Sequence, residues 1–202
     1  MKNLSKKRYR EMNQLDLIVL AQNDNYDAIE ELIKREEKNI YAAFCYLGVN
    51  KENLPDLTQE VLFRMSKNIK NLKNPKLFKS WLGQIITNLF YDELRKKQRF
   101  PDSISIDSYW LDDESEKNNA LHICDNKLKP DEKTIGKETN DIIQEMICKL
   151  PEHFRIVIIL RELQGLSYDE IAKITQTNVG TVKSRISRAR NKLQECLKPY
   201  FT

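Results

Sequence analysis

Apolar residues fall into a helical rhythm between Tyr26 and Tyr46. Ala28, Ile29, Leu32, Ile33, Ile40, Ala43 and Phe44, with Leu47 just beyond, recur at steps of three and four around a charged KREEKN face. This predicts one amphipathic helix. Gly48 to Pro55 interrupts it, and a second helix carrying Leu57, Val61, Leu62 and Met65 follows, with Asp56 or Thr58 as its cap. Pro75 has no amide hydrogen and biases Asn74 away from helical angles, so the stretch from Asn71 to Pro75 predicts a turn. A third helix then runs from about Lys76 through Leu77, Trp81, Leu82, Ile85, Leu89 and Leu94 to the basic run RKKQR.

After Phe100 the rhythm dissolves into Ser, Asp and Asn until about Lys133, a stretch too polar to pack and too long for an ordinary connection. Periodicity returns at Ile142, Ile143, Met146, Ile147 and Leu150 and stops at Pro151. The run HFRIVIILRELQG is apolar enough for a buried helix or a strand; its length and the Gly165 stop favour helix. Ser167 is placed to cap a short helix from Tyr168 to Thr175, and Thr177 a long one from about Asn178 to Leu197. The expected class is all-α, with two small helical domains joined by a flexible linker. Residues 1–20 form an N-terminal extension, 21–99 the first domain, 100–135 the linker and 136–202 the second domain.

The 202 residues leave room for two such units, and five glycines are too few for a sandwich of tight turns or a phosphate-cradling loop. No apolar run approaches the roughly 18 residues that span a bilayer. The start MKNLSKKRYREMNQ has no apolar stretch behind its basic residues. Membrane insertion is not expected, and a cytoplasmic location is. Cys45, Cys124, Cys148 and Cys196 lack the close spacing of a zinc or redox pair, and read as free thiols. His122 and His153 lie 31 positions apart with no ligand or nucleophile nearby in sequence. No metal, cofactor or catalytic residue is expected, and carboxylates scattered among lysines read as solvated helix faces.

The net charge of +4 hides an uneven distribution. Lys183, Arg185, Arg188, Arg190 and Lys192 stand together without an acid, and Arg95 to Arg99 holds four more basic residues. Between Pro101 and Asn118, six acids (Asp102, Asp107, Asp112, Asp113, Glu114, Glu116) face Lys117 alone. Two cationic patches separated by an acidic stretch suggest two polyanion contacts.

The last two helices carry apolar residues at Ile171, Ala172, Ile174, Val179, Val182 and Ile186 across a three-residue turn. Small Ala172 lets a second helix cross closely, and Val179, Val182, Ile186, Ala189 and Leu193 form that helix's inward stripe. Gly180, Thr181, Lys183, Ser184, Arg185, Ser187 and Arg188 are left outward, types that pair with base edges and phosphates. This spacing predicts a DNA-binding helix-turn-helix rather than a plain four-helix bundle.

The segment from LPEHFRIVIILRELQGLSYDEIAKITQTNVGTVKSRISRARNKLQECL resembles region 4 of sigma-70 type initiation factors of bacterial RNA polymerase, in their small extracytoplasmic-function (ECF) group. DLTQEVLFRM resembles region 2.2, and LFKSWLGQIITNLFYDELRKKQR resembles regions 2.3 and 2.4. The resemblance implies an alternative sigma factor whose partners are core RNA polymerase and promoter DNA, with an anti-sigma factor as an expected regulator of the group. It places Asp56, Leu57, Gln59 and Glu60 against the polymerase. It places Asn71, Lys73, Asn74, Lys76, Trp81, Asn88, Arg95 and Lys96 at the melted minus-ten element. Thr181, Lys183, Ser184, Arg185, Ser187 and Arg188 fall at minus-thirty-five contact positions, with Arg161 and Tyr168 facing phosphates. Trp81, at helical spacing with Leu77, Leu82 and Ile85, also fits a core position. The acidic stretch after Pro101 would run through the polymerase's nucleic-acid channel.

Two residues depart from the family pattern. Gln176 stands where a turn glycine is common, so a positive φ there would store roughly 1 kcal/mol. Gly83 stands where the melting helix usually has an aromatic, at a cost of about 1 kcal/mol in helix propensity. A helix-turn-helix regulator acting without polymerase is the alternative reading.

Overall fold

The computed structural model describes residues 8–99 and 135–200. Every regular element among them is helical. Helix α1 (Gln14–Gln22) opens on Asn13, whose side chain accepts from the Asp16 amide. Its Leu17, Ile18 and Ala21 are buried against helix α2 (Tyr26–Leu47). The stretch set apart in the sequence as an extension thus contributes core residues from Leu17 onward. The low contrast between its two faces hid it, because QLDLIVLAQ is apolar nearly all round.

Asn25 caps α2 through the Ala28 amide, and Gly48 ends it in the left-handed region, φ +77°. The Gly48 and Val49 amides then close on the Cys45 and Phe44 carbonyls at 3.1 and 3.2 Å. Helix α3 (Leu54–Asn68) begins earlier than expected. Pro55 sits in its first turn, where no amide hydrogen is needed, so Asp56 lies inside the helix rather than capping it. Thr58 is no cap either; its buried hydroxyl donates to the Leu54 carbonyl at 2.7 Å. Two short 3₁₀ turns, Ile69–Asn71 and Pro75–Leu77, lead into helix α4 (Phe78–Arg99). Helix α2 packs on α1, α3 and α4 around Leu32, Ile40, Phe44, Val61, Met65 and Phe78.

The second unit comprises α5 (Ile135–Cys148), α6 (Glu152–Glu162), α7 (Tyr168–Thr175) and α8 (Val179–Leu197). The apolar run after Pro151 is helix α6, with Phe154 and Ile156 to Leu160 all buried. Ser167 caps α7 in a reciprocal capping box with Glu170. Asn178, not Thr177, caps α8, its side chain accepting from the Thr181 amide at 2.7 Å. Gln176 has left-handed angles (φ 54°) and Asn178 extended ones, while Thr177 shares a 3.0 Å hydroxyl contact with Thr175.

The two units pack on each other through one continuous core. Helix α2 meets α5 and α6, and α4 meets α7. The Tyr46 hydroxyl donates to Asn140 at 2.7 Å, and burial holds that phenol above its ordinary pKa.

Candidate nucleic-acid interface

Helices α7 and α8 cross where Ala172 is buried, and Val182, Ile186 and Ala189 fill the seam beneath. That buried stripe fixes which side chains of α8 face outward. Lys183, Ser184, Ser187 and Arg188 are exposed, while Thr181 and Arg185 are half-buried. The Ser184 hydroxyl donates to the Thr181 carbonyl at 2.9 Å, leaving its oxygen as an acceptor at the edge of this strip. Exposed Arg190 bonds Glu162 at 2.6 Å, tying the back of α8 to α6 and away from the strip. Gly180 is exposed in the first turn of α8, where backbone amides and the helix dipole favour an anion.

Arg161 and Tyr168 come together, though first for local reasons. The Arg161 guanidinium lies 4.8 Å from the Tyr168 ring centroid, and its Nη1 donates to the Leu166 carbonyl at 2.7 Å. Arg161 therefore braces the α6–α7 connection, a duty its sequence position did not signal.

In the first unit, Asn71, Lys73, Asn74 and Lys76 form an exposed turn around buried Leu72. Asn74 caps the second 3₁₀ turn by accepting from the Lys76 amide at 3.0 Å. The turn is held from behind by Gln22 of α1, whose Nε2 donates to the Ile69 and Leu72 carbonyls at 3.2 and 2.6 Å. Gln22 was missed in the sequence because its partners lie 47 and 50 residues away. Trp81 is half-buried against the core with its ring 6.0 Å from Phe78, so only part of it faces solvent. Asn88 is exposed and accepts from Gln84 at 2.9 Å. Arg95 and Lys96 are exposed and pair along their own helix with Asp92 and Glu93. They stand about 21 Å along the axis from Trp81, at 1.5 Å per residue.

On α3, Asp56 and Gln59 are exposed and Glu60 pairs with Arg64 at 2.6 Å. Leu57, expected with them in docking, is 9% exposed and packs in the core, because α3 turns that position inward with Val61 and Met65. Phe63, which the sequence reading passed over, is 59% exposed on the strip continuing from Asp56, Gln59 and Glu60. Lys67 lies over its ring at 5.6 Å. The available signal was the spacing, since Phe63 lies three and four positions from Glu60 and Gln59 on the polar side of the helix.

Tyr91 of α4 lies within electrostatic reach of Arg185 of α8, across the units. Burial holds the Tyr91 phenol above its ordinary pKa, the Arg185 guanidinium pulls the other way, and Glu152 adds to the rise. The acidic stretch from Asp102 to Glu116 lies outside the described residues.

Residues 32–100 match the family described as Sigma-70 region 2, and residues 140–193 match Sigma-70, region 4. The chain is 35% identical over 178 residues to the ECF RNA polymerase sigma factor SigW of Bacillus subtilis, covering 85% of this chain and 90% of that protein. It is 31% identical over 183 residues to the ECF RNA polymerase sigma-E factor of Escherichia coli K12, covering 91% and 93%. Among solved structures, the sigma factor RpoE bound to the anti-sigma factor NepR from Bartonella quintana aligns with a TM-score of 0.60 at 26% identity, over 84% of this chain and 96% of that one. CnrH in complex with the cytosolic domain of CnrY shares the fold with a TM-score of 0.61 at 21% identity, over 92% and 97%. With both conserved regions present in order and relatives matched over most of their length, the chain belongs to the sigma-70 family, in its ECF group.

Proposed function

We propose that this ECF sigma factor acts in the cytoplasm without catalysis of its own, docking on core RNA polymerase through the exposed strip of α3 and directing it to promoters through two DNA-reading surfaces. The strip Lys183, Ser184, Arg185, Ser187 and Arg188 enters the major groove of the minus-thirty-five duplex. The turn from Asn71 to Lys76, with Asn88 and the open edge of Trp81, holds unstacked bases of the minus-ten strand. Stacking contributes about 1–3 kcal/mol per base. Arg95 and Lys96 follow the backbone farther along α4.

The observation that carries this reading is the one-sided exposure of α8, with its apolar stripe buried and its cations outward next to a capped helix start. Two weak readers clamped to one polymerase gain effective concentration, so neither has to bind DNA tightly alone. The acidic stretch from Asp102 to Glu116 would occupy the nucleic-acid channel as a polyanion mimic. An anti-sigma protein is a further expected partner, since the RpoE relative was solved with one.

In vitro transcription with core polymerase and promoter-bearing genomic fragments is the test. Start sites should appear only with the protein present, and Glu60→Lys or Phe63→Ala should weaken binding to core polymerase without altering duplex binding. Promoter binding unaffected by core polymerase would favour a free-standing regulator instead.

A further inference from the structure

One face of α4 carries Trp81, Gln84, Asn88, Asp92 and Arg95 at steps of three and four. Gly83 lies round the helix from them, where a Cβ would meet Gln164 Oε1 at 2.6 Å and Leu166 Cδ1 at 3.2 Å. Within the stripe, half-buried Gln84 donates from Nε2 to Asn88 Oδ1 at 2.9 Å, one turn farther along. An asparagine amide is planar, with an acceptor oxygen on one side and a nitrogen bearing two donors on the other. With its oxygen turned back to Gln84, exposed Asn88 carries its Nδ2 away from that partner. The next residue of the stripe, Asp92, would be the competing acceptor for those hydrogens, but it is paired with Arg95, whose Nη2 donates to Asp92 Oδ1 at 2.9 Å. Asn88 Nδ2 makes no hydrogen bond among the described residues.

The turn from Asn71 to Lys76 repeats this arrangement. Asn74 Oδ1 accepts from the Lys76 amide at 3.0 Å, so that side chain also commits its oxygen to the chain. Lys73 and Lys76 beside it carry donors alone. The surface assigned above to the minus-ten strand is thus weighted towards donors, and Gln84 sets the share that Asn88 adds.

Bases divide at the groups such a donor meets. Thymine has a keto oxygen where cytosine has an amino group, and guanine and adenine differ in the same way. An N–H aimed there bonds the keto base, whereas on the amino base two donors face each other and neither is satisfied. We propose that Gln84 is a positioning residue for base specificity: by holding Asn88 with Nδ2 outward, it makes the chain prefer a keto base, thymine or guanine, at one position of the unstacked minus-ten strand. This rests on the functional reading above, in which Asn88 meets an unstacked base. Gln84 acts through Asn88 and not on the DNA.

The test uses the full chain bound to core polymerase and a forked DNA probe carrying the minus-ten element of the strongest promoter mapped by transcription. Each position of the unpaired strand is filled in turn by thymine or cytosine, and by guanine or adenine. The readout is the ratio of keto to amino affinity within each variant, so a uniform loss of active protein or a uniform charge effect cancels. Wild type should favour the keto base by about three- to tenfold at one position, the size of a single net hydrogen bond. Asn88→Ala should flatten the ratio there and so identify the position. Gln84→Met, with no donor, should lose most of it. Gln84→Lys, which only donates, should keep the wild-type ratio, and Gln84→Glu, which only accepts, should turn the Asn88 amide round and invert it. Wild-type ratios in both Gln84→Met and Gln84→Glu, even with weaker binding throughout, would overturn the positioning role, and so would an amino preference of the wild type at that position. Asn88→Ala without effect at any position would instead remove the functional reading of Asn88, and the inference with it. Should circular dichroism show one Gln84 variant misfolded, the remaining two still differ in their expected ratios.

Discussion

Arg155 and Leu47 stand 108 residues apart in sequence, and the guanidinium of the first donates to the carbonyl of the second at 2.7 Å. The same side chain also donates to the Cys148 and Leu150 carbonyls, so it ties the end of α2 to the end of α5. Gly48, which ends α2, leaves the space: a Cβ there would fall 2.7 Å from Arg155 Nη1. Arg155→Gln should lower stability by about 2–3 kcal/mol, because a charged donor is lost from carbonyls that stay shielded. Urea unfolding should then split into two transitions as the units uncouple.

Gln22 holds the turn from Asn71 to Lys76, proposed above for the minus-ten strand, through the Ile69 and Leu72 carbonyls. Gln22→Ala removes both donors to the Ile69 and Leu72 carbonyls, which should loosen the turn at a cost of about 1–2 kcal/mol. Permanganate footprinting should show slower promoter opening, while binding of duplex minus-thirty-five DNA stays at the wild-type level. Equal loss in both assays would mean that Gln22 supports the fold alone.

Gln176 takes φ 54° at the end of α7, a geometry that glycine adopts freely. Gln176→Gly should therefore stabilise the second unit by up to about 1 kcal/mol, reduced by the greater freedom of glycine in the unfolded chain. Thermal unfolding should shift upward by a few degrees or less, with DNA sequence preference unaltered, since Gln176 is exposed before the reading helix begins.

Arg188 is exposed on the reading strip, whereas Arg190 is bound to Glu162 behind it. Arg188→Ala should cost about 1–3 kcal/mol at the preferred minus-thirty-five sequence and relax discrimination there. Arg190→Ala should leave discrimination intact. Fluorescence anisotropy on a panel of single-base variants reads both outcomes, and uniform weakening by Arg188→Ala would reassign it to a phosphate contact.

Periodicity was enough to place α2, α4, α7 and α8, because each carries an apolar stripe whose spacing matches one helix face, whereas α6, apolar nearly all round, was placed by its length and the Gly165 stop. The outward residues of α8 were legible for the same reason: once Val182, Ile186 and Ala189 are assigned inward, Lys183, Ser184 and Arg188 fall on the exposed side of the helix. Cap identities were less legible. Asn178, with extended angles after the left-handed Gln176, displaced Thr177, and Leu54 rather than Asp56 began α3, because Pro55 is accommodated in the first turn.

What the sequence determined by itself, then, is the order of helices and the polar, cationic make-up of the outward strip of α8, both written in contacts three and four residues apart. Only the tertiary structure decided that Leu57 is core, that Gln22 braces a distant turn, that Arg161 stacks on Tyr168, and that Gly83 is a seat for Gln164 and Leu166. Each of these depends on side chains brought together from separate helices. Their mutual distances follow from how whole helix faces pack, a quantity that no local spacing encodes.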